Sequence, residues 1–173
     1  MKKIATISIA ALLAIGVVSQ ANAQYQKPIG LSVRLGVFYP SNGDARDIEG
    51  QGWFGGGLEY KIKDLKFDTS NPKNSAMLTA SLDYYGKGSF SQVPLLLNIV
   101  AHSDSFYWSA GAGLGFGRVP TAGSSTSDTE FAYQMGIGYD FVKSQMPFFL
   151  ELKYFGSTES KLNGFGVYGG IRF

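Results

Sequence analysis

The chain contains no cysteine, which excludes a disulfide scaffold, a lipid-modified cysteine and thiolate metal sites. It contains one histidine, His102. A lone imidazole supplies too few ligands for a zinc centre, and Ser–His–Asp chemistry has no other base to draw on. Beyond residue 23 no long apolar run occurs. The best, Pro94-Leu95-Leu96-Leu97, ends at Asn98, far short of the roughly 20 residues a spanning helix needs. A basic excess is missing too. Without Lys2 and Lys3, thirteen basic side chains face thirteen acidic ones, which argues against nucleic acid as a partner.

Those two lysines begin an export pattern. Lys2 and Lys3 precede the apolar stretch Ile4 to Val18, and Ala21-Asn22-Ala23 has the small-x-small shape a signal peptidase cuts. Fifteen apolar residues are short for a membrane anchor. Residues 1–23 are therefore expected to be a signal peptide cleaved after Ala23. Residues 24–173, a length suited to one domain, are expected to be the mature protein.

Aromatics and glycines are plentiful: 13 Phe, 10 Tyr, 2 Trp and 23 Gly. They fall into a period of two, the signature of strands. Leu31, Val33, Leu35, Val37 and Tyr39 alternate with Ser32, Arg34 and Gly36. Phe54, Leu58, Tyr60 and Ile62 oppose Gly55, Gly57, Glu59 and Lys61. Leu78, Ala80, Leu82 and Tyr84 oppose Thr79, Ser81, Asp83 and Tyr85. In a fourth strand Val93, Leu95, Leu97 and Ile99 face away from Pro94, Leu96, Asn98 and His102, a less clean division. Phe106, Trp108, Ala110, Ala112, Leu114 and Phe116 oppose Tyr107, Ser109, Gly111, Gly113, Gly115 and Gly117. Phe131, Tyr133, Met135, Ile137, Tyr139 and Phe141 oppose Gln134, Gly136, Gly138 and Asp140. Phe148, Leu150, Leu152 and Tyr154 oppose Glu151 and Lys153. Phe165, Val167, Gly169, Ile171 and Phe173 oppose Gly166, Tyr168 and Arg172.

Strands of about ten residues can cross a bilayer at a tilt near 45°. Aromatic residues sit at strand ends with aliphatics between, as two interfacial girdles require. Tyr39, Tyr60, Tyr84, Trp108, Phe131, Tyr133, Tyr139, Phe141, Phe148, Tyr154, Phe165 and Phe173 are the girdle candidates. A soluble sandwich alternates as well, but has no reason to hold rings at two heights. The fold expected is all-β: a transmembrane antiparallel up-and-down β-barrel of about eight strands, with both termini on one side. Polar loops are expected over residues 40–51, 86–91, 118–129 and 156–163, and short turns over 102–105 and 142–145. The connector over 63–75 is too long for a short turn. It requires either longer second and third strands or a different register.

The chain resembles the small eight-stranded outer-membrane barrels of the OmpA, OmpX and OmpW kind. The C-terminal strand, Tyr168-Gly169-Gly170-Ile171-Arg172-Phe173, carries that resemblance most specifically. It is similar to the terminal signal, ending on an aromatic, that such proteins present to the barrel-assembly machinery; Tyr168, Ile171 and Phe173 would be its contact residues. The resemblance implies outer-membrane localisation, lipids as surroundings, a monomer and no cofactor.

Charged residues on the inward faces are Arg34, Glu59, Lys61, Asp83, Asp140, Glu151, Lys153 and Arg172. Side chains nearly fill an eight-stranded lumen, so charges there must pair. The expectation is that Arg34 and Arg172 pair with Glu59 and Glu151. The glycines from Gly111 to Gly117 do not match a phosphate-binding fingerprint, which needs a following helix. They either make room for side chains across the lumen or clear a path for a solute. Two functions stand: a structural or surface-interaction barrel, or a narrow porin-like channel for small or hydrophobic solutes. A lipid A-modifying barrel enzyme is disfavoured, because such enzymes use a histidine near the outer leaflet and His102 falls at the opposite end of its strand.

Overall fold

Period-two alternation leaves one face of every strand apolar, and a sheet with both edges free would expose unpaired backbone. Closure removes the edges. The computed structural model describes residues 30–66, 74–121, 124–141 and 147–173. The signal peptide expected over 1–23 and the turn expected over 142–145 lie outside them. Eight strands form the wall: β1 (Leu31–Pro40), β2 (Trp53–Leu65), β3 (Asn74–Lys87), β4 (Phe90–Ser103), β5 (Phe106–Thr121), β6 (Ser124–Phe141), β7 (Phe148–Ser157) and β8 (Gly164–Arg172). Each pairs antiparallel with the next, and β8 closes on β1 from Ser32↔Arg172 to Pro40↔Gly164. At the seam the Phe173 N–H donates to the Leu31 carbonyl at 2.7 Å, and the Gly30 N–H to the Phe173 carbonyl at 2.8 Å.

All eight strands match expected ones, and the differences lie at their ends. β2 continues to Leu65 and β3 begins at Asn74, so both strands reach into the long connector from its two ends. A bulge between Lys61 and Lys63 makes Ile62 the extra residue. Residues 118–121 and 124–129 of the expected loop instead extend β5 and β6, paired from Arg118↔Ser127 to Thr121↔Ser124. Its Ser and Thr residues are polar enough to look like a loop, yet the pairing satisfies their backbone. The turn between β3 and β4 shrinks to two residues, with Gly88 at φ 57.

The first connection carries a helix, α1 (Gly43–Glu49), that periodicity did not reveal because seven residues are two turns. Its ends were nevertheless encoded. The Asn42 side chain accepts from the Ala45 N–H at 3.1 Å, a standard N-cap bond. Gly50 supplies the left-handed φ of 81 that stops the helix. A 3-10 turn, Ser160–Leu162, lies between β7 and β8. Together α1 and this turn define a loop end of the barrel, opposite the terminal end where Leu31 and Arg172 lie.

Candidate functional site: the barrel wall and the filled lumen

The outward face repeats its polarity on every strand. Leu35, Val37, Leu58, Leu82, Leu95, Leu97, Leu114, Met135, Ile137, Leu150, Leu152 and Val167 are all exposed large apolar residues. Soluble monomers rarely expose so continuous an apolar band; hydrocarbon is the solvent it suits.

Girdle candidates fall at the two rims of this band. Near the loop end, Tyr154 packs on Phe165 at 4.9 Å and lies 6.3 Å from Tyr133, which sits 6.3 Å from Phe131. Tyr39 pairs in register with Phe165, and Tyr84 lies 6.4 Å from Phe54. Near the terminal end, Tyr139 packs edge-on against both Phe106 and Phe141 at 5.0 Å. Phe141 pairs in register with Phe148, and Tyr60 with Leu31. Trp108 is exposed on the same side, and Phe173 completes the seam. Phe54, Phe106 and Phe116 belong to these rims although they were not among the girdle candidates. Their exposure and strand-end positions were already available in the alternation.

The lumen is packed in layers. Its central layer is ionic. Arg34 reaches from β1 to β3 and donates from Nε to Asp83 Oδ1 at 2.8 Å and from Nη2 to Asp83 Oδ2 at 2.9 Å. This is the bidentate fork that guanidinium and carboxylate form best. Its other arm lies 3.4 Å from Glu59 and 3.6 Å from Glu151. Lys153, fully buried, lies 3.6 Å from Glu151 and 5.7 Å above the Phe155 ring. Alongside, Asn98 donates to Ser81 at 3.0 Å and accepts from Gln134 at 3.0 Å. The Lys153 ammonium, one Glu151 oxygen and the Tyr107 hydroxyl have no hydrogen-bond partner among the described residues.

Two expected members of the central network lie elsewhere. Arg172 does not meet Glu59 or Glu151. It donates to Asp140 at 3.0 Å and to Ser32 at 3.3 Å, between the rings of Tyr107 and Phe149 at 4.8 and 4.5 Å. The reason is height: Arg172 is opposite Ser32 on β1, two residues below Arg34, so its reach ends in the terminal-end layer. Lys61 sits lower still, part exposed, and pairs with Asp64 at 2.8 Å. His102 Nε2 lies 3.1 Å from the other oxygen of Asp140, in this same layer.

The loop-end layer is apolar. Phe38 stacks on Tyr85 at 4.1 Å, Tyr85 meets Phe155 at 5.1 Å, and Trp53 stacks on Phe90 at 5.6 Å. Ala45 from α1 and Leu162 from the 3-10 turn pack into the same cluster, both at 0% exposure. Alternation does not announce this plug: Phe90 falls in the loop expected over 86–91, and Phe38 ends an inward face of Ser32, Arg34 and Gly36. Tyr168 fills the space between the plug and the ionic layer.

The inward glycines hold other residues' side chains. A Cβ at Gly115 would lie 2.7 Å from Gln92 Nε2, and one at Gly117 2.6 Å from Glu130 Oε1 and 2.9 Å from Leu162. At Gly57 and Gly111 it would coincide with the carboxylate of Asp83 and the amide of Asn98. Room for bulky lumen groups is thus what they provide, and the path for a solute is occupied.

No protein-family model matches the chain, and no curated protein matches it. Among solved structures it is similar to the Yersinia pestis outer membrane protein Ail in a phospholipid bilayer nanodisc, at 16% identity and TM-score 0.46, covering 83% of this chain and 98% of that one. It is similar to the N-terminal β-barrel domain of Pseudomonas aeruginosa OprF at 14% identity and TM-score 0.48, with 86% and 100% covered. It is also similar to the outer membrane enzyme PagL at 15% identity and TM-score 0.45, with 82% and 99% covered. At these identities the likeness is one of fold.

Proposed function

We propose that the chain is an integral outer-membrane β-barrel with a structural or surface-interaction role, its lumen closed by its own side chains. One observation carries this reading: a continuous apolar band faces outward on all eight strands, while the inward face is packed with a paired ionic layer. On this reading residues 1–23 direct export and residues 24–173 form the barrel. The terminal end faces the periplasm, and α1 and the β5–β6 hairpin face outside. Lipids surround the band, and the final strand with Tyr168, Ile171 and Phe173 engages the assembly machinery during insertion. No catalytic role is assigned to the one imidazole, which lies beside Asp140 at the terminal end.

A narrow channel is the second reading. The unpartnered Tyr107 hydroxyl, Glu151 oxygen and Lys153 ammonium favour it, since water is the simplest partner for them. Refolding into vesicles whose acyl chains carry bromine separates a lipid-facing wall from a soluble one. Trp108 fluorescence should be quenched and Trp53 fluorescence spared. Equal quenching of both would remove the assigned faces.

A further inference from the structure

A single extra residue decides which way the charges of β2 face at the terminal-end rim. Up to Lys61 the odd positions point inward, where Glu59 is buried, and the even ones outward, where Leu58 and Tyr60 are exposed. Continued unbroken, that alternation would turn Lys63 into the barrel and put Asp64 on the lipid side. The bulge at Ile62 reverses both charges. Beyond it Lys63 stands opposite Leu78, on the face of β3 that Leu82 and Tyr84 expose. Asp64 stands opposite Met77, which packs inward against Val100, Tyr107 and Phe149.

The ion pairs record the same switch. Lys61 and Asp64 are three positions apart, which on a regular strand sets them on opposite faces. Yet Lys61 Nζ lies 2.8 Å from Asp64 Oδ1, so the carboxylate meets its partner on the inward side. Lys63 and Lys66 are exposed, and neither pairs with a carboxylate among the described residues. Depth follows from Tyr60, a terminal-end girdle residue that is 56% exposed. Interfacial rings mark the boundary between acyl chains and headgroups. Three residues at about 3.3 Å each, on a strand tilted by roughly 40°, carry Lys63 roughly 7 Å past that ring. Headgroup phosphate is the chemistry found at that level, and a compact ammonium suits it.

We propose that the rim at the end of β2 docks the phosphate of an anionic phospholipid, with Lys63 as its direct partner and Lys66 adding local positive charge. The inference rests on the lipid-facing wall proposed above and names the lipid class that one part of its rim selects. A zwitterionic headgroup offers the same phosphate but brings its own ammonium, so lysines without a carboxylate favour a lipid of net negative charge. The acyl chains lie along Tyr60, Ile62 and Leu78, apolar contacts that free phosphate cannot make.

The test uses the full-length chain refolded in vesicles of phosphatidylcholine and phosphatidylglycerol. Trp108→Phe with Tyr60→Trp places the one lipid-facing tryptophan beside Lys63, since Trp53 is buried in the plug. Quenching by phosphatidylglycerol with brominated acyl chains, set against brominated phosphatidylcholine, gives the relative affinity at this spot. The ratio should favour the anionic lipid by about five-fold, the weight of one interfacial cation. It should fall toward parity in Lys63→Gln and hold in Lys63→Arg and in Lys87→Gln at the loop end. Deleting Ile62 should restore regular alternation, turn Asp64 outward and reverse the preference. Circular dichroism confirms that each variant keeps its sheet. Three results overturn the proposal: no preference in the parent, a preference that survives Lys63→Gln, or one that millimolar inorganic phosphate abolishes, which would make the site one for free phosphate. A reporter quenched by neither lipid would instead remove the lipid-facing wall itself.

Discussion

Arg34 and Asp83, 49 residues apart in sequence, face each other across β2 in a two-bond fork inside the barrel. The fork joins β1 to β3 and, through Glu59 and Glu151, gathers β2 and β7. Both partners are almost wholly buried, so neither tolerates loss of the other. Asp83→Ala should destabilise the refolded barrel by about 1.5–3 kcal/mol, because it removes the charge-assisted fork and leaves Arg34 only its longer contacts to Glu59 and Glu151. Urea unfolding in vesicles measures this. A loss below 1 kcal/mol would mean that Glu59 and Glu151, or water, hold Arg34 without the fork.

Glycine positions separate a filled lumen from an open one. Gly57→Ala puts a methyl where the Asp83 carboxylate sits, and overpacking of this kind costs about 1–3 kcal/mol. Gly169→Ala, on the lipid face with nothing within 4 Å, should be neutral or stabilising by up to about 1 kcal/mol. Parallel unfolding curves of the two variants decide it; equal midpoints would argue that the lumen has slack.

Depth in the lipid-facing band should grade the cost of charge. Leu152 pairs with Ile137 and Val167 in mid-band, so Leu152→Arg should cost roughly 2–4 kcal/mol. Ile62 lies at the bulge near the terminal-end rim, and Ile62→Arg should cost about 0–1 kcal/mol. Refolding titrations with the two variants check the order, and a reversal would displace the band.

The final aromatic separates insertion from stability. Its seam bonds are made by backbone atoms of Phe173, so Phe173→Ser keeps them. Unassisted refolding into lipid should stay close to the parent, while the amount inserted in cells should fall. Comparing the two yields tests this; equal loss in both would assign Phe173 a packing role.

Strand number and facing were legible in the sequence, because alternation is dictated by local chemistry at each position. Leu150, Leu152, Glu151 and Lys153 declare their sides unaided. Partner choice was not legible. Arg34 and Arg172 look alike in sequence, yet two residues of height send one to Asp83 and the other to Asp140, and that height follows from the β1–β8 register. The plug was hidden for a different reason: Phe38 ends an otherwise polar inward face and Phe90 falls in an expected loop, so neither reads as core until Ala45 and Leu162 arrive from distant loops. The extension of β5 to Thr121 and of β6 from Ser124 is not legible because strands beyond an apolar band have no need of apolar residues.

Single-channel recording from the refolded protein in a planar bilayer, at neutral pH and high salt, tests the filled lumen most directly. The packed ionic layer beneath an aromatic plug predicts a silent bilayer from protein shown to be folded and inserted. Reproducible discrete openings that change with Arg34→Met would contradict it and establish the channel.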